Sequence, residues 1–236
     1  MASAVIIEEQ IVVPMNLASL ADFRRWATSD VFPERGRIDY VGGMVEVDMS
    51  PEEIISHGGL KGEIHRAIAD LVKPHDLGYA RTDRTRISSL EGDVSAEPDV
   101  VFVSHESLAE GRARMIPKAG SEAGRYVEIE GAPDLIVEVV SDSSVAKDTK
   151  RLPAAYFRAG VREFWLADAR REPFMFRIHQ RGQSAFEPVQ PDAEGFQYSA
   201  VFACRFRLQW HRDRSGNWAF DLKRADDPQK SDAIAV

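Results

Sequence analysis

Two acidic residues stand where an acid is costly to place. Glu138 lies inside the apolar run Leu135-Ile136-Val137-Glu138-Val139-Val140, and Asp99 stands at the mouth of Val100-Val101-Phe102-Val103. A carboxylate in such a run must be paired, protonated or bound to a metal. Dense β-branched residues read as buried strands, so the two acids could converge at adjacent strands of one sheet. Paired carboxylates suit a hard divalent cation such as magnesium. A cation held there can make a water nucleophilic and neutralise charge on phosphoryl oxygens, which is what phosphodiester cleavage requires. A nearby ammonium would stabilise developing charge or orient the water, and Lys147 and Lys150 are the nearest candidates. On residue pattern alone a structural role stays open, with Asp99 capping a turn and Glu138 pairing with an Arg or His in the core.

The elements that must position these acids can be read around them. Pro-Asp precedes both apolar runs, at Pro98-Asp99 and Pro133-Asp134. Period-two alternation puts Asp134, Ile136 and Glu138 on one side of the second strand and Leu135, Val137 and Val139 on the other. Ser141 to Ser144 breaks that strand. A helix is expected from about Asp148 to Ala159, with Gly160 ending it, and Val161 to Leu166 reads as strand again. Strand, helix, strand is the unit of a sheet with helices packed on it, so the fold class is α/β (α+β).

Elsewhere Asn16 could cap a helix running to about Thr28, with Leu17, Leu20, Phe23 and Trp26 on its packing face. Residues 37–48 alternate around Gly42-Gly43 as a hairpin. A helix follows from about His57 to Val72, with His57, Lys61 and Glu63 in its first turns. Ala80 to Ile87 reads as an exposed strand carrying Arg81, Arg84 and Arg86. Residues 104–131 read as a long surface connection with a short helix near Glu106 to Glu110; its Arg112, Arg114, Lys118 and Arg125 could contact phosphate or simply solubilise the surface. Phe174 to Ile178 is strand, Phe186 to Val189 suggests another short one, and Phe202 to Trp210 alternates as a strand packed on one face. Residues 1–212 are expected to form a single domain and 213–236 a polar tail or weakly ordered strand. Residues 1–15 read as an arm with a short strand at Val5-Ile6-Ile7 or Ile11-Val12-Val13.

Composition narrows the classes further. The chain is 44% hydrophobic and 29% charged, ordinary for a globular protein, and no apolar run approaches the length of a membrane span. The start MASAVIIEEQ lacks a basic signal-peptide region, so cytoplasmic placement is expected. One cysteine, Cys204, excludes an internal disulfide and a Cys-His zinc cluster and reads as a buried small hydrophobe. A formal charge of -8 argues against strong non-specific DNA binding, which needs a basic surface. No glycine-rich phosphate loop and no Gly-x-Ser-x-Gly elbow occurs.

Taken together, the segments Glu97 to Val103, Pro133 to Val139, Lys147-Asp148 through Tyr156, Ala159 to Leu166 and Asp168 resemble the Uma-two family of restriction-endonuclease-like proteins, within the PD-(D/E)XK nuclease superfamily. The resemblance runs from about Phe23 to Leu208. It implies a restriction-endonuclease-like core, with a central mixed sheet flanked by helices. It makes Asp99 and Glu138 the metal-binding acids for Mg2+ or Mn2+. His57 matches a histidine often found at the start of the family's second helix, and Glu63 could be an accessory acid. The activity implied is endonucleolytic hydrolysis of DNA, double-stranded, with no membrane partner; superfamily nucleases often pair, which admits a homodimer. One departure stands out. The superfamily lysine two residues after Glu138 is Val140 here, and the helix position at which relatives usually carry it is Leu152. Pro153 places the helix start near Leu152, so Lys147 and Lys150 would lie in the loop before it and could reach back to the cation. The competing readings are a catalytically inactive nucleic-acid-binding or protein-interaction module that keeps the fold, and an accessory subunit whose acids only stabilise the core.

Overall fold

The computed structural model describes residues 13–33, 36–118 and 124–226. A six-stranded mixed sheet forms its centre. It contains β3 (Gly78–Thr82), β6 (Val100–Ser104), β9 (Leu135–Val139), β10 (Glu163–Asp168), β11 (Met175–Arg181) and β12 (Phe186–Pro188), in the order β12-β11-β10-β9-β6-β3. β6 and β9 run antiparallel, whereas β9 and β10 are parallel. The crossover between those parallel strands carries α4 (Leu152–Ala159), ended by Gly160 in the left-handed region at φ 94°. All five residues of β9 are buried, as expected of a strand covered on both faces.

Side-chain alternation along β9 divides the core into two layers. Leu135, Val137 and Val139 face α2 (Leu60–Val72) and a three-stranded antiparallel sheet of β13 (Gln197–Ser199), β14 (Cys204–Arg212) and β15 (Trp218–Asp226). Ile136 faces α4 and a second six-stranded sheet. That sheet holds β1 (Arg37–Val41), β2 (Met44–Asp48), β4 (Arg86–Ser89), β5 (Val94–Ala96), β7 (Ala113–Pro117) and β8 (Tyr126–Gly131), in the order β2-β1-β5-β4-β8-β7. α1 (Leu20–Ala27) packs Phe23 and Trp26 against Ile38 and Tyr40 of β1, and α3 (His105–Ala109) follows β6. The mixed sheet flanked by helices is therefore present, with two further sheets that the sequence pattern did not separate.

Several expectations change. α1 starts at Leu20 because Ser19, not Asn16, caps it, its Oγ accepting from the Asp22 N–H at 3.2 Å. The stretch 80–87 is not one strand. Asp83 and Arg84 take positive φ (25° and 54°), which turns the chain from β3 into β4, two strands of different sheets. The connection 104–131 contains β7 and β8; each contributes so few apolar residues per face that its alternation is faint. Residues 218–226 are not a tail. β15 pairs with β14 along its whole length, and Phe220 and Leu222 enter the core beside Phe206 and Leu208. Cys204 is buried there. The expected arm strand at 5–7, nearly all of the alternative at 11–13, and the end of the expected tail at 227–236 lie outside the described residues. Among the described residues no helix is long and apolar enough to cross a membrane.

Candidate active site

The register of the central sheet brings the two acids together. Val100 lies opposite Val137, so the next step of the antiparallel ladder sets Asp99 beside Glu138, both on the layer that faces α4. Asp99 is fixed by its neighbour strand: its Oδ2 accepts from the Val139 N–H at 2.7 Å. Glu138 is fixed by the helix, Tyr156 donating its hydroxyl to Oε1 at 2.6 Å. The second Pro-Asp has another task. Asp134 Oδ2 accepts from the Ser104 N–H at 2.7 Å and the Ser107 hydroxyl at 2.6 Å, which ties the start of β9 to α3.

One guanidinium faces both acids. Arg37, at the start of β1, directs Nη1 to Asp99 Oδ1 at 3.7 Å and Nη2 to Glu138 Oε2 at 3.4 Å. Its Nε donates to Asp39 Oδ2 at 3.2 Å. Asp39 also accepts from Lys147 Nζ at 2.9 Å and, through Oδ1, from the Glu97 N–H at 3.0 Å. Lys147 is thus buried inside the cluster. It sits in a wide π-helical turn, Lys147–Arg151, that precedes α4, rather than in a loop. Lys150, in the same turn, is exposed. Leu152, the position at which the resemblance expects a lysine, is fully buried in the apolar layer with Tyr156 and Ile136.

His57 reaches the site from the other direction. It lies in the π-helical turn Ile54–Gly59, whose backbone N–H groups at Ile55 and His57 are capped by the Glu53 carboxylate at 2.9 and 3.1 Å. His57 Nε2 stands 3.6 Å from Asp99 Oδ2, and Nδ1 is 2.8 Å from Glu52 Oε1. Glu63 does not join them. It pairs with Arg66 at 2.7 Å and accepts from the Leu222 N–H at 2.8 Å, so it anchors β15 to α2 on the opposite layer.

The charges in this cluster do not balance evenly over its members. Burial raises the Glu138 carboxyl, and the neighbouring Asp99 and Asp148 charges add to it; Arg37 opposes them without cancelling, leaving Glu138 at about 8. Burial likewise lifts Asp148 to about 6 against the help of Ser144 and Arg37. Burial works against the charged form of Asp99 too, but His57 and Arg37 outweigh it and hold that carboxyl below its ordinary value. Burial also disfavours the His57 imidazolium, yet Asp99 and Glu52 raise it to about 9. Asp148 bonds Ser144 through Oδ2, while its buried Oδ1 has no hydrogen-bond partner.

These residues fit a hard divalent cation. Among the described residues no three His, Cys, Asp or Glu side chains are arranged as a ligand set for a metal ion. Magnesium instead takes one or two carboxylates and completes its shell with water and substrate phosphate. Asp99 and Glu138 supply such a pair, and the buried Asp148 oxygen beside them has no donor of its own. The cleft outside, about 820 Å³, is lined by seven carboxylates, Asp48, Glu52 and Asp99 among them, against Arg37, Lys61, Arg84, Arg170 and His57. A polyanion meets net repulsion there until a cation is bound.

The sequence pattern identified Asp99, Glu138, Lys147 and His57, all of which this cluster contains. It missed Arg37, Asp39 and Tyr156, and it did not assign Asp148 a role. The signal for the first two was present: Arg37 and Asp39 are charges two apart on one face of a strand whose other residues enter the core.

Comparison with known proteins places the chain. A family model described as "Putative restriction endonuclease", Uma2, matches residues 20–211. A crystal structure described as a putative nuclease of the DUF820 group from Anabaena variabilis superposes with a TM-score of 0.55 at 21% identity, covering 78% of this chain and 90% of that one. No curated protein matches the chain.

Proposed function

The chain belongs to the Uma2 family of restriction-endonuclease-like proteins, and from that premise we propose that it hydrolyses phosphodiester bonds of double-stranded DNA as a metal-dependent endonuclease. The observation that carries this reading is the convergence of Asp99 and Glu138, from adjacent antiparallel strands, on a single cationic group. When bound between these acids, Mg2+ or Mn2+ would supply Lewis acidity toward the scissile phosphate and a water of lowered pKa.

The chain's own residues account for the rest. The Val139 N–H and the Tyr156 hydroxyl fix the two carboxylates in place, so the ligand pair is held before any ion arrives. Asp39 holds Lys147 within the cluster at 2.9 Å, which makes its ammonium the candidate for the lysine that positions 140 and 152 lack. His57 and Lys61 line the cleft on the side of Asp99 and contribute positive charge to a phosphate backbone lying along it.

A second reading is favoured by two specific positions. Val140 and Leu152 stand at both usual lysine positions, and Arg37 already pairs with both acids. Those features suit a module that keeps the fold without the chemistry. One experiment separates the two. Titration calorimetry with Mn2+ and cleavage of duplex plasmid DNA are measured for the wild type, Asp99→Ala and Glu138→Ala. The nuclease reading expects Mn2+ binding and Mn2+-dependent nicking, both lost in either variant. Wild-type protein that neither binds Mn2+ nor nicks DNA, while DNA binding persists in chelator, overturns it in favour of the silent module.

A further inference from the structure

Next to the acidic cleft lies a second cavity of about 600 Å³ with a different chemistry. The two are continuous, sharing Gly36, Arg84 and Glu97 in their walls. The second cavity is aromatic. Phe32, Tyr79 and Tyr126 line it, and the Tyr126 side chain at the start of β8 is 54% exposed, a large apolar ring left in the open. It is also cationic. Arg81 and Arg84 stand exposed on its wall, and neither has a carboxylate within ion-pair distance among the described residues. The acids of the cavity are already taken: Glu128 by Arg24 at 2.9 Å, and Glu97 by the buried Arg86 at 2.6 Å. In a chain with a formal charge of -8, two exposed arginines beside the open Tyr126 ring form a local exception.

The geometry supports each part. Arg81 lies over the Tyr79 ring, 5.1 Å from its centroid, forming one flat face of guanidinium on aromatic. Arg86 is locked below by the Ile38 carbonyl at 3.0 Å and by the rings of Phe23 and Phe32 at 5.4 and 5.0 Å, so the floor is rigid. Arg84 is held outward by a left-handed turn at φ 54°, an unusual conformation for a residue with a side chain. Flat aromatic faces with flanking arginines are the chemistry that receives an unstacked base and its phosphate. A purely apolar ligand would leave both guanidinium groups without a counter-charge, and a carboxylate or free phosphate would leave the rings unused.

We propose that this cavity is a nucleotide subsite that takes one unstacked base of the substrate strand against Tyr126, with Arg81 and Arg84 meeting the adjacent phosphate. The cleft-side metal reading supplies only the polymer's identity; the subsite itself stands on the cavity. It makes the enzyme favour duplex sites where the base next to the scissile bond leaves the stack, because a base inside a regular duplex cannot reach a pocket otherwise.

The test is a binding measurement in chelator, independent of cleavage. Anisotropy of a fluorescein-labelled oligodeoxythymidine is followed against salt for the wild type, Tyr126→Ala, Tyr126→Phe and Arg84→Ala, with the distant exposed Arg177→Ala as control. Tyr126→Ala is expected to weaken binding on the order of tenfold, the loss of one stacked base, while Tyr126→Phe keeps it. Arg84→Ala is expected to lower the slope of log affinity against log salt by about 0.7, one phosphate contact on a single strand. The oligonucleotide should bind more tightly than thymidine monophosphate, and a duplex with one unpaired thymidine more tightly than a fully paired duplex of the same length; equal affinity in either comparison overturns the subsite's preference for an unstacked base in a strand. Wild-type affinity in Tyr126→Ala, or an unchanged salt slope in Arg84→Ala, overturns the subsite. If those variants bind normally and plasmid nicking also continues, the nuclease reading survives and the subsite does not. If nicking never occurs but binding depends on Tyr126, the subsite survives without the nuclease.

Discussion

Replacing Arg37 by alanine tests the electrostatics of the site directly. The guanidinium faces Asp39, Asp99 and Glu138, whose side chains are 1, 4 and 0% exposed, while its own is 23% exposed. Removing one partner of a fully buried ion pair costs about 3–5 kcal/mol. Arg37 is partly open to the cleft, so water can enter and screen the acids it leaves behind, and about 2–3 kcal/mol is the appropriate loss in metal-free protein. For a chain of this size that corresponds to a fall in Tm of roughly 4–12 °C. Saturating Mg2+ should then do more for the variant than for the wild type, because the ion no longer competes with a guanidinium for the same oxygens. A ligand at a hundred times its Kd adds about 2.7 kcal/mol, enough to return the variant to near wild-type stability. Urea unfolding in chelator and in Mg2+, read by tryptophan fluorescence, measures both quantities. A loss below about 1 kcal/mol, or a Mg2+ response no larger than the wild type's, would refute the view that Arg37 and a cation share the Asp99–Glu138 site.

Three other outcomes are expected. Lys147→Ala should abolish metal-dependent cleavage and lower stability by about 2–4 kcal/mol, since it leaves buried Asp39 with one cation fewer, whereas exposed Lys150→Ala should change stability by no more than ~0.5 kcal/mol and leave cleavage intact; the reverse pattern in a plasmid-nicking assay and urea melts would reassign the lysine. Tyr156→Phe removes the 2.6 Å hydrogen bond to Glu138 and should cost about 1–3 kcal/mol in a chemical melt, with a weaker Mn2+ titration because the carboxylate is less well held. Glu163 is buried at the start of β10, where it accepts from Trp165 Nε1 at 2.7 Å and the Ser199 hydroxyl at 2.6 Å, and burial raises its carboxyl above 4.5. Its protonated form contributes stability that is complete below the unfolded value and fades as pH rises through the raised folded value. The stability gap between wild type and Glu163→Gln should therefore narrow as pH rises above the ordinary carboxylate range, and a gap that widens contradicts that sign.

The two Pro-Asp dipeptides show how far local pattern reaches. Both looked alike in the chain, each an acid before a β-branched run. Only in the sheet do they part, Asp99 beside Glu138 and Asp134 under α3, because strand partners are chosen by long-range pairing that no local window contains. Glu63 fails for the same reason. It lies on a helix with the right composition, but the helix packs on the layer opposite Glu138 and the carboxylate is spent on β15.

What the amino-acid order determined by itself was the three buried strands around the two acids, the strand–helix–strand unit ended by Gly160, the side of β9 that Glu138 takes, and the pair of acids at the mouth and in the middle of apolar runs. Those follow from period, propensity and the cost of burying a carboxylate, all properties of neighbouring residues. What only the tertiary structure decided was the company those acids keep: Arg37 and Asp39 from a hairpin about a hundred residues away, Lys147 rather than Lys150, and the aromatic cavity assembled from strands of two sheets and the end of α1. Charge compensation in a buried site acts through space, and the chain distance between its partners carries no record of it.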